Sequence, residues 1–127
     1  MPAPIKAVLD NYLIIQTALA EDSLKDVPER ATAMAKAARG DTLKSLSPRV
    51  AVQAETLAKA KDLEAARAAF KPLSRSLIQE LAANQVPAGH YYEVYCPMAQ
   101  ASWLQTDKVV KNPYMGKAMA RCGRIKK

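Results

Sequence analysis

Apolar side chains recur at intervals of three and four residues through the first two-thirds of the chain, and this spacing constrains the fold most. It places a stripe of apolar side chains along one face of a helix. The pattern extends over Pro4 to Ala20, Pro28 to Gly40, Pro48 to about Ala60, and Asp62 to Asn84. The sequence therefore predicts four helices that pack as an antiparallel four-helix bundle within one domain of 127 residues.

Local signals set the ends of these helices. Ser47 precedes Pro48, which is typical of an N-cap followed by proline in the first turn. Asp62 is the equivalent N-cap candidate for the fourth helix. Pro72 lies inside the fourth pattern, and proline lacks the backbone N–H that helix propagation needs. We therefore expect a kink there, or a split near Phe70.

The composition changes abruptly after Asn84. Five of the seven aromatic residues, three of the four glycines, the histidine and both cysteines follow it. Residues 90–95 have the aromatic and β-branched composition of a strand. Residues 117–122 fit a short helix that Gly123 would end in the left-handed conformation.

Two regions of one domain follow from this change. We predict a mainly α fold with a helical bundle over residues 4–84 and an irregular, partly extended C-terminal cap over residues 85–127. The cap should fold back over one end of the bundle, because its aromatic side chains need apolar surface to cover. The aromatic residues concerned are Tyr91, Tyr95, Trp103 and Tyr114.

The formal charge of +7 is concentrated at the C-terminal end. Acidic and basic residues balance over residues 1–107, whereas residues 108–127 contain seven basic residues and no acidic one. This distribution disfavours a uniformly basic nucleic-acid-binding protein. It leaves two alternatives, a solvated basic face or a surface that docks an acidic partner or an anionic membrane. The basic residues are Lys108, Lys111, Lys117, Arg121, Arg124, Lys126 and Lys127.

Soft donor atoms are gathered in the same region: His90, Cys96, Met98, Met115, Met119 and Cys122. In a helix over 115–122, Met115, Met119 and Cys122 would share one face. In an extended segment, Cys96 and Met98 would point the same way. Thiolate and thioether ligands favour copper(I), and silver(I), which is equally soft, should bind similarly.

A disulfide between the two cysteines is the competing interpretation, because it would remove both thiolates. Methionines at helical spacing are also typical of a packed core. Both interpretations place Cys96 and Cys122 close together. An enzyme is not expected: Cys96 and His90 could form a nucleophile and base, but no third orienting residue and no Cys-x-x-Cys pair accompany them.

An ordered series of motifs over residues 90–123 resembles a bacterial family of helical domains of unknown function. The series is Tyr95-Cys96-Pro97-Met98-Ala99, Trp103-Leu104, Asn112-Pro113-Tyr114, Gly116, Met119 and Cys122-Gly123. Domains of that family occur as secreted or lipid-anchored small proteins and attached to periplasmic adaptor subunits of copper and silver efflux pumps. The resemblance implies a periplasmic or secreted setting and a role in soft-metal handling. It carries over candidate metal ligands at His90, Cys96, Met98, Met119 and Cys122.

Two functions follow as hypotheses. The first is a periplasmic protein that binds copper(I) or silver(I) in metal handling or resistance, with an efflux adaptor as a candidate protein partner. The second is a non-enzymatic interaction module, stapled by a Cys96–Cys122 disulfide, that docks a partner through its basic C-terminal end. Neither hypothesis involves nucleic acid or a membrane span.

Overall fold

The computed structural model describes residues 2–41 and 46–126. Within these residues the chain forms four α-helices followed by a three-stranded antiparallel sheet. They are α1 (Ala3–Ala20), α2 (Val27–Arg39), α3 (Pro48–Ala58), α4 (Leu63–Ala83), β1 (Tyr92–Cys96), β2 (Ala101–Gln105) and β3 (Arg124–Ile125). The prediction of a mainly helical fold with a partly extended C-terminal region is confirmed. In the described part of the chain, no helix is long and apolar enough to cross a membrane.

The helix ends follow the local chemistry of the sequence. Ser47 accepts a hydrogen bond from the backbone N–H of Arg49, and Asp62 accepts one from Ala65, so both predicted N-caps are confirmed. The predicted split of the fourth helix is wrong, since α4 continues through Pro72. Buried side chains on both sides of the proline, among them Phe70, hold the two halves of α4 against the core.

Helices that are neighbours in sequence pack against each other in space. Helix α2 packs against α1 and α3, and α3 packs against α4. Strand β2 packs against α4 and α1, and its residue Leu104 bonds to Tyr12 in the middle of α1. Tyr12 in turn contacts Ser74 in the middle of α4. Strand β2 therefore lies alongside α1 and α4. The sequence had led us to expect that the C-terminal region would cover one end of the bundle instead.

Two tyrosine hydroxyls bind the outer edge of β2. The strand order is β2-β1-β3, so β2 pairs with β1 on one side and has no strand on its other side. On that side the hydroxyl of Tyr12 accepts a hydrogen bond from the N–H of Leu104 at 3.1 Å. The hydroxyl of Tyr114 donates to the carbonyl of Ser102 at 2.7 Å. These bonds satisfy backbone groups that an edge strand otherwise leaves unpaired.

Tyr12 joins both helices to the sheet from a completely buried position. Its hydroxyl lies 2.7 Å from the Oγ atom of Ser74 on α4, and its ring stacks on Phe70 at 4.7 Å between ring centroids. Burial raises the pKa of the Tyr12 hydroxyl well above its usual value, so the group is neutral at physiological pH. A single side chain thus connects α1, α4 and β2.

A chain of aromatic rings continues this contact towards the sheet. The ring centroids of Phe70 and Tyr114 are 6.0 Å apart. The rings of Tyr114 and Trp103 pack edge to face, with 5.8 Å between their centroids. Trp103 is fully buried and Tyr114 nearly so, as expected of side chains that need apolar surface. Tyr95 does not follow that expectation, because it lies on an exposed part of β1.

The Tyr12→Phe substitution tests this connection. It keeps the ring stacked on Phe70 but leaves the N–H of Leu104 and the hydroxyl of Ser74 without their buried partner. We expect the free energy of unfolding, measured by urea denaturation, to fall by about 1–3 kcal/mol. Tyr95→Phe, on the exposed face of the sheet, should change it by less than about 0.5 kcal/mol. Equal stability of the two variants would contradict the role assigned to Tyr12.

Candidate functional site

The two cysteines meet where strand β1 ends. Cys96 is the last residue of β1, and Cys122 follows a short 3₁₀-helix over Gly116–Met119. Their Sγ atoms lie 2.9 Å apart, and both residues are free cysteines. Cys96 is fully buried, whereas Cys122 is half-buried. The predicted proximity of the two thiols, which are 26 residues apart in the chain, is confirmed.

Asn112 fixes the loop that carries Cys122. This asparagine is fully buried, and its side-chain amide donates to the carbonyl of Cys122 at 2.6 Å. Its side-chain oxygen accepts hydrogen bonds from the N–H groups of Tyr114 and Met115 at 2.8 and 3.0 Å. Its own N–H donates to the carbonyl of Ala120. Asn112 therefore closes the segment 112–122 on itself and sets the position of Cys122.

Polar contacts from the helices anchor the same segment. Arg67 on α4 donates to the carbonyl of Pro113 at 2.8 Å and to the Oδ1 atom of Asp22 at 2.6 Å. Gln16 on α1 donates to the carbonyl of Lys111 at 2.7 Å. Gly116 has a φ of +61°, and a Cβ atom there would lie 1.9 Å from Oδ1 of Asp22. Only glycine meets both demands at position 116.

Gly123 lets the chain pass close to the sheet face that carries Cys96. A Cβ atom at this position would lie 2.9–3.1 Å from the side chains of Trp103, Val94 and Val110. Val94 and Cys96 are two residues apart on β1 and share that face. The predicted left-handed stop at Gly123 is wrong, because its φ is +158°. The glycine in the left-handed conformation is Gly116.

Hydrogen bonds make the two thiols chemically unequal. Burial acts to raise the pKa of the Cys96 thiol, but hydrogen bonds outweigh it and lower that pKa. The donors are the Cys122 thiol, the N–H of Ala99 at 3.3 Å, the Asn112 side chain and the N–H of Met98. The pKa of Cys122 is raised, because its thiol is hydrogen-bonded to Cys96 and is also partly desolvated. As pH rises, Cys96 is therefore the first of the two thiols to lose its proton, and Cys122 the second.

The α-helical face on which the sequence places Met115, Met119 and Cys122 does not form. The helix expected over 117–122 is only the short 3₁₀-helix, so Met115, Met119 and Cys122 share no α-helical face. It is short because the turn at Gly116 precedes it and the N–H of Cys122 bonds back to the carbonyl of Met119. Met119 is 40% exposed.

Met98 also departs from expectation. Strand β1 ends at Cys96, and the chain turns at residues 97–100. Two residues along an extended strand would point the same way, but Met98 is 66% exposed while Cys96 is completely buried. Its side chain is therefore exposed to solvent rather than enclosed with the thiol of Cys96.

His90 lies at the other end of β1 from Cys96. It is exposed and belongs to a 3₁₀-helix, Ala88–His90, that precedes the strand. The rise along β1 alone separates the two ends of the strand by about 13 Å. Among the described residues, no three His, Cys, Asp or Glu side chains come together in a way that could hold a metal ion. A soft metal at this site would therefore depend on the two thiols and on methionine sulfurs.

The sequence analysis missed the residues that build the site. Asn112 carried a detectable signal, because an asparagine before a proline favours a turn in which its side chain caps nearby N–H groups. Arg67 carried no such signal, since its partners are distant in sequence. The importance of Tyr12 was equally hidden within the apolar stripe of the first helix.

The unequal thiols can be tested by following thiolate absorbance in the ultraviolet as a function of pH. We expect two deprotonation steps in the wild-type protein, one below and one above the ordinary thiol pKa of about 8.5. In Cys122→Ala the remaining thiol loses a donor, so the pKa of Cys96 should rise above its wild-type step. Cys122→Ser is the matched control, because the serine hydroxyl can still donate. The same Cys96 pKa in both variants would show that Cys122 does not stabilise the thiolate.

Comparison with known proteins relates the helices, but not the thiol pair, to a family. The model of a family described as "Protein of unknown function (DUF3347)" matches residues 8–89, which is more than half of the chain. The match includes α2, α3, α4 and most of α1, and it ends before β1. A likeness to a family of unknown function is thus found over the helices, not over the residues 90–123 that suggested it. No curated protein and no solved structure matches the chain.

Proposed function

The chain belongs to the family of proteins of unknown function designated DUF3347, and we propose that it binds copper(I) or silver(I) through Cys96 and Cys122. The observation that carries this proposal is the 2.9 Å contact between the two Sγ atoms. Two adjacent thiolates form a soft donor pair, and soft donors select monovalent copper and silver over hard cations. Hydrogen bonds that stabilise the Cys96 thiolate favour the charge state that a metal ligand needs.

Metal binding would replace the proton that Cys122 shares with Cys96. An ion bonded to both thiolates at about 2.3 Å, the length of a zinc–thiolate bond, would need more room between the two sulfurs than a hydrogen bond does. The Sγ atoms must therefore move apart from 2.9 Å. Cys122 is the side chain able to move, because it is half-buried on a loop while Cys96 is enclosed at the end of β1. Binding would release the protons that the two thiols still carry, so it should strengthen as pH rises.

Thioethers that are close to the two cysteines in sequence complete the proposed site. Met98 is two residues from Cys96, Met119 is three residues from Cys122, and both are exposed. A flexible, exposed methionine can turn towards a bound ion without disturbing the core. His90 is not included, because the length of β1 separates it from the thiols.

The setting and the arrangement of the helices belong to the same proposal. Helices α1 to α4 pack in sequence order with short connections, which favours an antiparallel four-helix bundle. The motifs over residues 90–123 support a periplasmic or secreted protein that handles metal, with an efflux adaptor as its candidate protein partner. Such a role requires no catalysis.

Anaerobic titration with copper(I) against a competing chelator tests the proposal. We expect one ion per chain in the reduced wild-type protein and a loss of affinity of at least about a hundredfold in Cys96→Ser and Cys122→Ser. Met98→Leu and Met119→Leu should each weaken binding by about tenfold or less.

His90→Ala is the matched control, since it removes a soft donor of the same region that lies away from the pair. Its affinity for copper(I) should equal that of the wild type. Unchanged stoichiometry and affinity in the double variant Cys96→Ser/Cys122→Ser would overturn the proposed function.

A stapled interaction module remains the second candidate, because the same contact between thiols suits a disulfide. Of the basic residues near the C-terminal end, Lys111 and Lys126 form ion pairs with Asp107 and Glu93. Lys117 is exposed, and so are the other basic residues that could meet a partner: Lys108, Arg121 and Arg124. Lys127 lies outside the described residues. A count of titratable thiols on unreduced protein separates the candidates: two favour the metal site, and none favours the staple.

A further inference from the structure

The two thiols differ sharply in their accessibility to a reagent in solution. Cys96 has no exposed surface, since it lies on the inner face of β1 with its Sγ atom against the turn that follows. Cys122 is half-buried on the loop after the 3₁₀-helix. A small molecule can therefore reach the sulfur of Cys122 first.

Cys96 lies directly behind the exposed thiol. Its Sγ atom is 2.9 Å from that of Cys122 and 3.3 Å from the N–H of Ala99. The short distance between the two sulfurs places Cys96 where it can attack the sulfur of Cys122 once that sulfur has reacted.

We propose that Cys122 and Cys96 form a thiol–disulfide exchange site in which Cys122 reacts with a low-molecular-weight disulfide and Cys96 resolves the product. In the first step, the Cys122 sulfur attacks one sulfur of glutathione disulfide while its proton passes to solvent. A mixed disulfide forms on Cys122, and one glutathione thiolate leaves.

In the second step, the departed thiolate or water takes the proton from Cys96. The Cys96 sulfur then attacks the Cys122 sulfur, and the bond from Cys122 to glutathione breaks. The Cys96–Cys122 disulfide forms and a second glutathione thiolate is released. Glutathione disulfide is reduced by two electrons, which the two protein thiols supply.

The fixed loop makes the second step fast. Asn112 and the close approach of Gly123 to the sheet hold Cys122 beside Cys96 in the folded protein. An intramolecular thiol at this distance has a high effective concentration, so the mixed disulfide should not accumulate. In the reverse direction a reductant would attack the accessible Cys122 sulfur. Cys96 would then leave as the thiolate that the N–H of Ala99 stabilises.

The test uses the 127-residue chain, metal-free and reduced, with a metal chelator and glutathione disulfide, and mass spectrometry follows the products. Wild-type protein should form the internal disulfide with little glutathione adduct. Cys96→Ser should accumulate one adduct on Cys122, because the resolving thiol is absent. Cys122→Ser should form an adduct at least about tenfold more slowly, because Cys96 is buried.

Circular dichroism and urea unfolding confirm that each variant is folded, and Cys96→Ala replaces Cys96→Ser if the serine variant does not fold. Equal adduct rates on the two single-cysteine variants would overturn the proposal, and so would a stable adduct on the wild-type protein. The site needs no metal, so a failure to bind copper(I) would leave this result intact. Conversely, a failure of exchange would leave the copper(I) titration intact.

Discussion

The buried hydroxyl of Tyr12 is the contact on which the rest of the structure depends. It accepts a hydrogen bond from the N–H of Leu104 on β2 and forms another with the hydroxyl of Ser74 on α4. One hydroxyl group on α1 therefore joins α1, α4 and β2. An edge strand that packs on helices would otherwise bring unpaired N–H groups into an apolar interior. Leaving one such group unsatisfied costs about 1–3 kcal/mol, a large share of the roughly 5–15 kcal/mol by which a domain is stable.

The position of the two thiols depends on the Tyr12 contact through a few further contacts in the sheet and the C-terminal loop. Tyr12 and Tyr114 fix β2, β2 pairs with β1, and β1 ends at Cys96. The loop that carries Cys122 is closed by Asn112 and anchored to α4 by Arg67. The pair is thus a product of the whole fold, because contacts from both helices and sheet set it. Its chemistry as a metal ligand or as an exchange site depends on the same geometry.

The sequence predicted best what is decided locally. The N-caps at Ser47 and Asp62 depend on neighbouring residues and are confirmed. The predicted bounds of the helices agree with the observed ones to within two residues. The split expected at Pro72 does not occur, because tertiary packing on both sides of the proline outweighs a local defect. The methionine pattern was misjudged because the turn at Gly116 ends the α-helical spacing before it can begin.

The candidate site was predictable only in part. The proximity of Cys96 and Cys122 followed from the chemistry of cysteine, since a disulfide and a shared metal ion both require it. The roles of Asn112, Arg67 and the Tyr12 hydroxyl depend on partners 10 to 92 residues away. No periodicity or short motif encodes such distances, because they arise only when the C-terminal segment packs against the helices.

Native-state hydrogen exchange at the backbone amide of Leu104 tests this account most directly. If the Tyr12 hydroxyl holds the edge of β2 to the helices, this N–H should exchange only through global unfolding, as slowly as the amides in the middle of α4. Exchange through local opening, at a rate like that of amides in exposed turns, would contradict it. Such a result would mean that β2, and with it the thiol pair, is not fixed by the helical core.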